Sequence, residues 1–184
     1  MDCASPPETY PTDIGWQALR AAGEALAGAL LTRGWMLGCA ESCTGGLVAA
    51  ALTSLAGSSQ WFERGLVTYS NAAKAELLGV AQATLQQHGA VSEATAREMA
   101  LGLLARAPVQ ATLAVTGIAG PAGGSSDKPV GLVWFAWAWQ TPSGACARAE
   151  SMHWPGDRQA VRMASAQHAL RGMLQCLDAA AQAR

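Results

Sequence analysis

Apolar positions change their period several times along the chain, and each change predicts an element. Ile14, Leu19, Ala22, Leu26 and Leu30 recur at helical spacing between Asp13 and Arg33, and Gly34 stops the run. The apolar stretch 35–41 predicts a strand, and the alanine-rich stretch 44–56 a helix broken by Gly57-Ser58-Ser59. Gly65–Tyr69 predicts a second strand. Ser70 or Asn71 then caps a helix to Leu78, which Gly79 ends. After a short helical segment over 81–87, Ser92 opens a long amphipathic helix carrying Ala96, Met99, Ala100, Leu103 and Leu104, closed by Pro108. Ala111–Thr116 is apolar enough for a strand buried on both faces. Beyond the Gly/Pro/Ser loop 117–129, Gly131–Gln140 and Ala145–Trp154 predict an antiparallel hairpin turning at Thr141-Pro142-Ser143-Gly144. A last helix runs from Asp157 to about Ala180.

Helices alternate with strands early, and two strands pair late. That order predicts an α/β fold, a three-layer α/β/α sandwich on a mixed sheet. Without a repeat or a linker, residues 13–184 read as one domain behind a loose polar tail at 1–12, and 184 residues suffice for a sizeable core. Ligands in such folds gather at the carboxyl ends of strands. Three loops leave strands there: 42–46, 69–74 and 116–129.

Composition narrows the partners. A net charge of −1 gives no general attraction to nucleic acid. The apolar run Val130–Trp139 is too short to span a bilayer. The amino terminus has neither a basic nor an apolar targeting segment, and a reduced cytoplasmic protein is expected. The five cysteines, Cys3, Cys39, Cys43, Cys146 and Cys176, are too scattered for a disulfide framework or a zinc site, so neither metal nor cofactor is expected.

Ala40-Glu41-Ser42-Cys43-Thr44-Gly45-Gly46 sits where the first strand hands over to a helix. Backbone N–H groups at a helix start are unpaired and can bind a phosphate or steady an oxyanion, and Gly45 and Gly46 let a ligand approach closely. Ser42 is thus a candidate nucleophile; equally, Ser42 or Thr44 can simply cap the helix. Lys74 and Lys128 are the only lysines. A lysine is ordinarily a solvated surface group, but Lys74 has apolar surroundings in sequence, and a desolvated lysine beside a serine can serve as its base. Tyr69 can relay the proton or position that pair. His88, His153 and His168 belong to no motif and read as surface or satisfied residues, with His153 the reserve candidate for a base. Thr116, Gly117 and Gly120 open a glycine loop whose N–H groups can face an anion, or which is merely a mobile connection. It is neither a Walker A loop nor a dinucleotide fingerprint. Asp157 reads as a helix cap, while Arg158 and Arg162 can face a phosphate, solvent or a second subunit.

Taken together, these segments resemble the C-terminal domain of the competence/damage-inducible CinA proteins. The likeness rests on Ala-Glu-Ser-Cys-Thr-Gly-Gly at 40–46, Gly-Ser-Ser at 57–59, Tyr-Ser-Asn at 69–71 with Lys74, and Leu-Leu-Gly-Val at 77–80. It continues through Gly-Ala-Val-Ser at 89–92, Met99-Ala100, Val-Thr-Gly-Ile-Ala-Gly-Pro at 115–121, Lys-Pro-Val-Gly at 128–131 and Gly156-Asp157-Arg158. The resemblance implies a five-stranded mixed sheet and nicotinamide-nucleotide amidohydrolase activity, which converts nicotinamide mononucleotide (NMN) and water to nicotinate mononucleotide and ammonia. It implies Ser42 as nucleophile, with Tyr69 and Lys74 beside it. On that reading N–H groups from Cys43, Thr44, Gly45 and Gly46 hold the oxyanion, and the loop at 117–124 holds the nucleotide, or the reverse. Ala122 stands where many relatives carry an acidic residue. The larger N-terminal domain of full-length CinA proteins has no counterpart here, so its activities are not assigned. Two other readings stay open: a non-catalytic nucleotide-binding module linked to competence or DNA damage, and a serine amidase or esterase for another substrate. The Trp-rich strand 131–139 is core or the face of a homodimer.

Overall fold

Side chains alternate across the central strands, large on one face and small on the other, and this asymmetry organises the layers. The computed structural model describes residues 14–182; the tail expected at 1–12 and Cys3 lie outside them. Five strands, β1 (Leu37–Glu41), β2 (Phe62–Val67), β3 (Ala111–Gly117), β4 (Leu132–Thr141) and β5 (Gly144–His153), form one sheet in the order β2-β1-β3-β4-β5. β1 is parallel to both β2 and β3, while β4 and β5 are antiparallel, so the sheet is mixed as expected.

Leu37, Cys39, Leu113, Val115, Phe135 and Trp137 pack under three helices, α1 (Ile14–Arg33), α2 (Leu47–Thr53) and α6 (Arg158–Gln182). The opposite face presents Ala40, Ala114, Ala136 and Ala138 to α3 (Asn71–Leu78), α4 (Gln82–His88) and α5 (Glu93–Arg106). The small residues let α5 lie close to the sheet, and the Thr112 hydroxyl donates to the Ala100 carbonyl at 2.8 Å. The result is the three-layer α/β/α sandwich. No helix of the described residues is long and apolar enough to cross a membrane.

Two elements differ in extent from the sequence reading. β2 begins at Phe62, not Gly65, and ends before Thr68. Its Glu63 and Arg64 form an ion pair on an edge strand, a polar start that hydrophobicity does not flag. α2 begins at Leu47 rather than residue 44, because Gly45 and Gly46 have φ of 61° and 93° and cannot continue into a helix.

The close fit of α6 against β4 yields a stability prediction. The Trp137 indole is fully buried and donates to the Ala169 carbonyl at 2.8 Å. A Cβ on Gly172 would lie 2.0 Å from that ring. Helix propensity alone would make Gly172→Ala stabilising by up to ~1 kcal/mol. Overpacking reverses the sign, and a loss of ~2 kcal/mol is expected. Urea unfolding of the two proteins measures it; a gain in stability would mean that the indole yields freely.

Candidate active site

β1, β2 and β3 end together, and the loops leaving them converge. The Ser42 N–H donates to the Val115 carbonyl at 2.9 Å, which fixes the serine backbone at the end of the two central strands. The chain then turns sharply, with the Gly45 N–H donating to the Ser42 carbonyl at 3.1 Å. The two left-handed glycines make that turn possible.

From the neighbouring loop, the Ser70 hydroxyl caps α3 by accepting the Ala73 N–H at 3.0 Å. Lys74 follows one turn later and points inward, 1% exposed. Its Nζ donates to the Thr68 carbonyl at 2.7 Å and to Ser42 Oγ at 3.0 Å. Among the described residues Lys74 forms no ion pair. Burial lowers its pKa to about 8, and the nearby Cys43 thiol opposes that only in part. An amine that readily loses its proton therefore sits within hydrogen-bonding reach of a serine hydroxyl. Ser42 and Lys74, singled out separately in the sequence, are brought together.

The α2 N-terminus differs from the expectation of free N–H groups. Glu41 is fully buried, and its Oε2 accepts the Gly46 and Val48 N–H groups at 3.0 and 3.1 Å. Its Oε1 accepts the Ala49 N–H at 2.9 Å and the Cys39 thiol at 3.7 Å. The chain's own carboxylate thus fills the anion site. Neither Ser42 nor Thr44 caps α2. Thr44 is buried, and its carbonyl accepts two bonds from Arg162, at 3.2 Å from Nε and 2.8 Å from Nη2. Burial pushes the Cys43 thiol up to about 11, and the Glu41 charge adds to the effect, so it stays protonated beside Ser42.

A cavity of about 250 Å³ opens over Ser42, Cys43 and Lys74. Thr116, Gly117 and Gly120 line it as the sequence suggested, whereas Thr44, Gly45 and Gly46 do not. Ala90, Val91 and Ile118 contribute apolar lining, and the Thr116 hydroxyl ties the two segments by donating to the Ala90 carbonyl at 2.8 Å. Tyr69 lines the cavity while remaining 60% exposed. Its hydroxyl accepts from Arg158 Nη2 at 2.9 Å, and Arg158 Nη1 donates to the Gly120 carbonyl at 2.9 Å. Tyr69 forms no hydrogen bond with Ser42 or Lys74; Arg158 ties it to the glycine loop instead. Among the described residues no acidic side chain lines the cavity, and Ala122 does.

The histidines act elsewhere. His153 Nε2 pairs with the Val130 carbonyl at 2.9 Å, His168 Nε2 meets Glu150 at 2.7 Å, and the His88 carbonyl accepts Lys128 at 2.6 Å. Among the described residues no three His, Cys, Asp or Glu side chains are grouped to hold a metal ion. Sequence reasoning passed over Glu41. Its one signal is an acid closing an otherwise apolar strand.

Known proteins match this chain in sequence and in fold. The model of the CinA C-terminal domain matches residues 20–177. Nicotinamide-nucleotide amidohydrolase PncC of Enterobacter agglomerans is 53% identical over 149 residues, covering 81% of this chain and 89% of the relative. The protein of that name from Escherichia coli K12 is 51% identical over 152 residues, with 83% and 90% covered. A CinA-like protein of Syntrophobacter fumaroxidans is 50% identical over 141 residues, and the match spans 77% of this chain but 32% of that longer protein. Among solved structures, a CinA superfamily protein from Klebsiella pneumoniae 700603 superposes with a TM-score of 0.82 at 38% identity, covering 88% of this chain and 98% of the other. The competence/damage inducible protein CihA from Agrobacterium tumefaciens gives 0.81 at 43% identity, with 88% and 96% covered. Sequence and fold agree, and the chain belongs to the CinA C-terminal domain family.

Proposed function

We propose that this protein is a nicotinamide-nucleotide amidohydrolase that converts NMN and water to nicotinate mononucleotide and ammonia. The observation that carries the reading is the buried Ser42–Lys74 contact of 3.0 Å, with the Lys74 pKa lowered to about 8. The relatives about half identical to this chain supply the substrate.

Neutral Lys74 takes the Ser42 proton as Oγ attacks the carboxamide carbon. The resulting oxyanion is held by the Cys43 N–H, since Thr44 does not line the cavity and the N–H groups of Gly46, Val48 and Ala49 are committed to Glu41. Lys74 returns the proton to the leaving nitrogen, and ammonia departs from an acyl-serine. Water then attacks the ester, Lys74 takes its proton, and Ser42 regains one as the carboxylate product forms. The pyridine ring is accommodated by Ala90, Val91 and Ile118, and the nucleotide part by the glycine loop with Arg158. Tyr69 holds Arg158 in place across the cavity rather than relaying the catalytic proton. Neither metal nor cofactor enters the cycle.

Ammonia release from NMN, NAD, nicotinamide and simple amides tests the reading. Turnover of NMN well above the others supports it. Binding of NMN without ammonia release would make the protein a nucleotide-binding module, and preferred turnover of another carboxamide would change the substrate.

A further inference from the structure

We infer that Glu41 is the positioning residue of the site, holding Ser42 at the distance from Lys74 that proton transfer needs. The inference rests on the reading of Ser42 as nucleophile.

Ser42 and Lys74 belong to different elements, and nothing covalent sets their separation. Lys74 is placed by α3, whose start is capped by Ser70 and whose end is closed by Gly79 in the left-handed conformation. The α2 side has no comparable support. That helix has seven residues, and Gly46 at its N-cap has no side chain to satisfy it. Glu41 supplies what is missing. The bond from the Gly46 N–H to Glu41 Oε2 closes a ring around Ser42, Cys43, Thr44 and Gly45. The bonds from Val48 and Ala49 fasten the first turn of α2 to the same carboxylate. Glu41 is itself held in the middle of the sheet, in register with Val67 of β2 and Val115 of β3. The serine turn is therefore clamped at both ends to the central sheet.

The chemistry of the clamp calls for a carboxylate. Three N–H groups and one thiol converge on two oxygens, and every contact asks Glu41 to accept. A carboxamide has one accepting oxygen, and its NH₂ would face at least one of those donors. Glu41→Gln is thus nearly isosteric yet incompatible with the full set. Glu41→Asp keeps the acceptors but withdraws them by one methylene.

The test measures kcat and KM for NMN with native protein, Glu41→Gln, Glu41→Asp and Ser42→Ala, alongside thermal unfolding of each. If Glu41 positions Ser42, kcat of Glu41→Gln falls at least tenfold while KM stays within twofold. The rate still rises with pH near 8, because Lys74 remains the base. Glu41→Asp falls between Glu41→Gln and native. A folded Glu41→Gln with kcat within twofold of native overturns the inference. So does a loss that only tracks the fraction of unfolded protein. Should Glu41→Gln fail to fold, Glu41→Asp decides by the same kcat comparison. The inference and the reading beneath it fail differently. Active Ser42→Ala removes the nucleophile, whereas inactive Ser42→Ala beside native-like Glu41→Gln removes only the role of Glu41.

Discussion

Lys74→Arg is expected to lose turnover almost as completely as Lys74→Ala, although it keeps the positive charge. Lys74 is 1% exposed and bonded to Ser42 and to a carbonyl, and among the described residues it forms no ion pair. Its value at that position is a lone pair, not a charge. Guanidinium stays protonated at every working pH and cannot take the serine proton. The native enzyme should show kcat/KM rising with pH through about 8, as burial makes Lys74 give up its proton. At one pH unit below that midpoint only about a tenth of the molecules carry the neutral amine. A steady-state profile from pH 6 to 10 reads the limb, and NMN binding by both variants checks that the cavity survives. Near-native turnover by Lys74→Arg would reduce Lys74 to a source of positive charge and send the search for a base elsewhere.

Ser42→Ala is expected to cost ~10³-fold or more in kcat with the fold intact. Ser42 is small, sits in a turn, and is anchored through its backbone N–H, so the variant removes little packing. The neighbouring thiol is not a ready substitute: Cys43 lines the same cavity, but burial holds its pKa near 11. Substantial ammonia release from cleanly folded Ser42→Ala would remove Ser42 from the mechanism.

What the sequence made legible follows from where each signal lives. The buried strand β3, the hairpin β4–β5 and the capped helix α3 carry their information locally, in apolar runs, turn residues and the Ser70 cap. Their boundaries lie within a residue or two of the reading. The edge strand β2 was half hidden, because an ion pair at its start reads as surface. Of the site, Ser42 and Lys74 were recognisable because a strand-to-helix serine and a lysine in an apolar setting are unusual individually. The partners of Tyr69 were not recognisable, since Arg158 lies 89 residues away and only folding joins them. Glu41 escaped for a related reason. A buried acid gains meaning only once the N–H groups it satisfies are seen around it.

The buried amine also links catalysis to folding stability. In the unfolded chain Lys74 keeps its proton up to about 10.5, whereas in the folded protein it loses it near 8. Between those values the unfolded state binds more protons, so the free energy of unfolding rises with pH. Below pH 8 the fold carries the full penalty, ~3 kcal/mol for a group this buried. Cys43 and Cys176 pull the other way. Their thiols are held up to about 11 against an ordinary 9.0, so above pH 9 they favour the unfolded chain. Denaturant midpoints should therefore climb from pH 7.5 to 9 and fall beyond, where two thiols outweigh one amine. The proton that must leave before Ser42 can attack is one that strains the native state, and mild alkali relieves the strain and frees the base together.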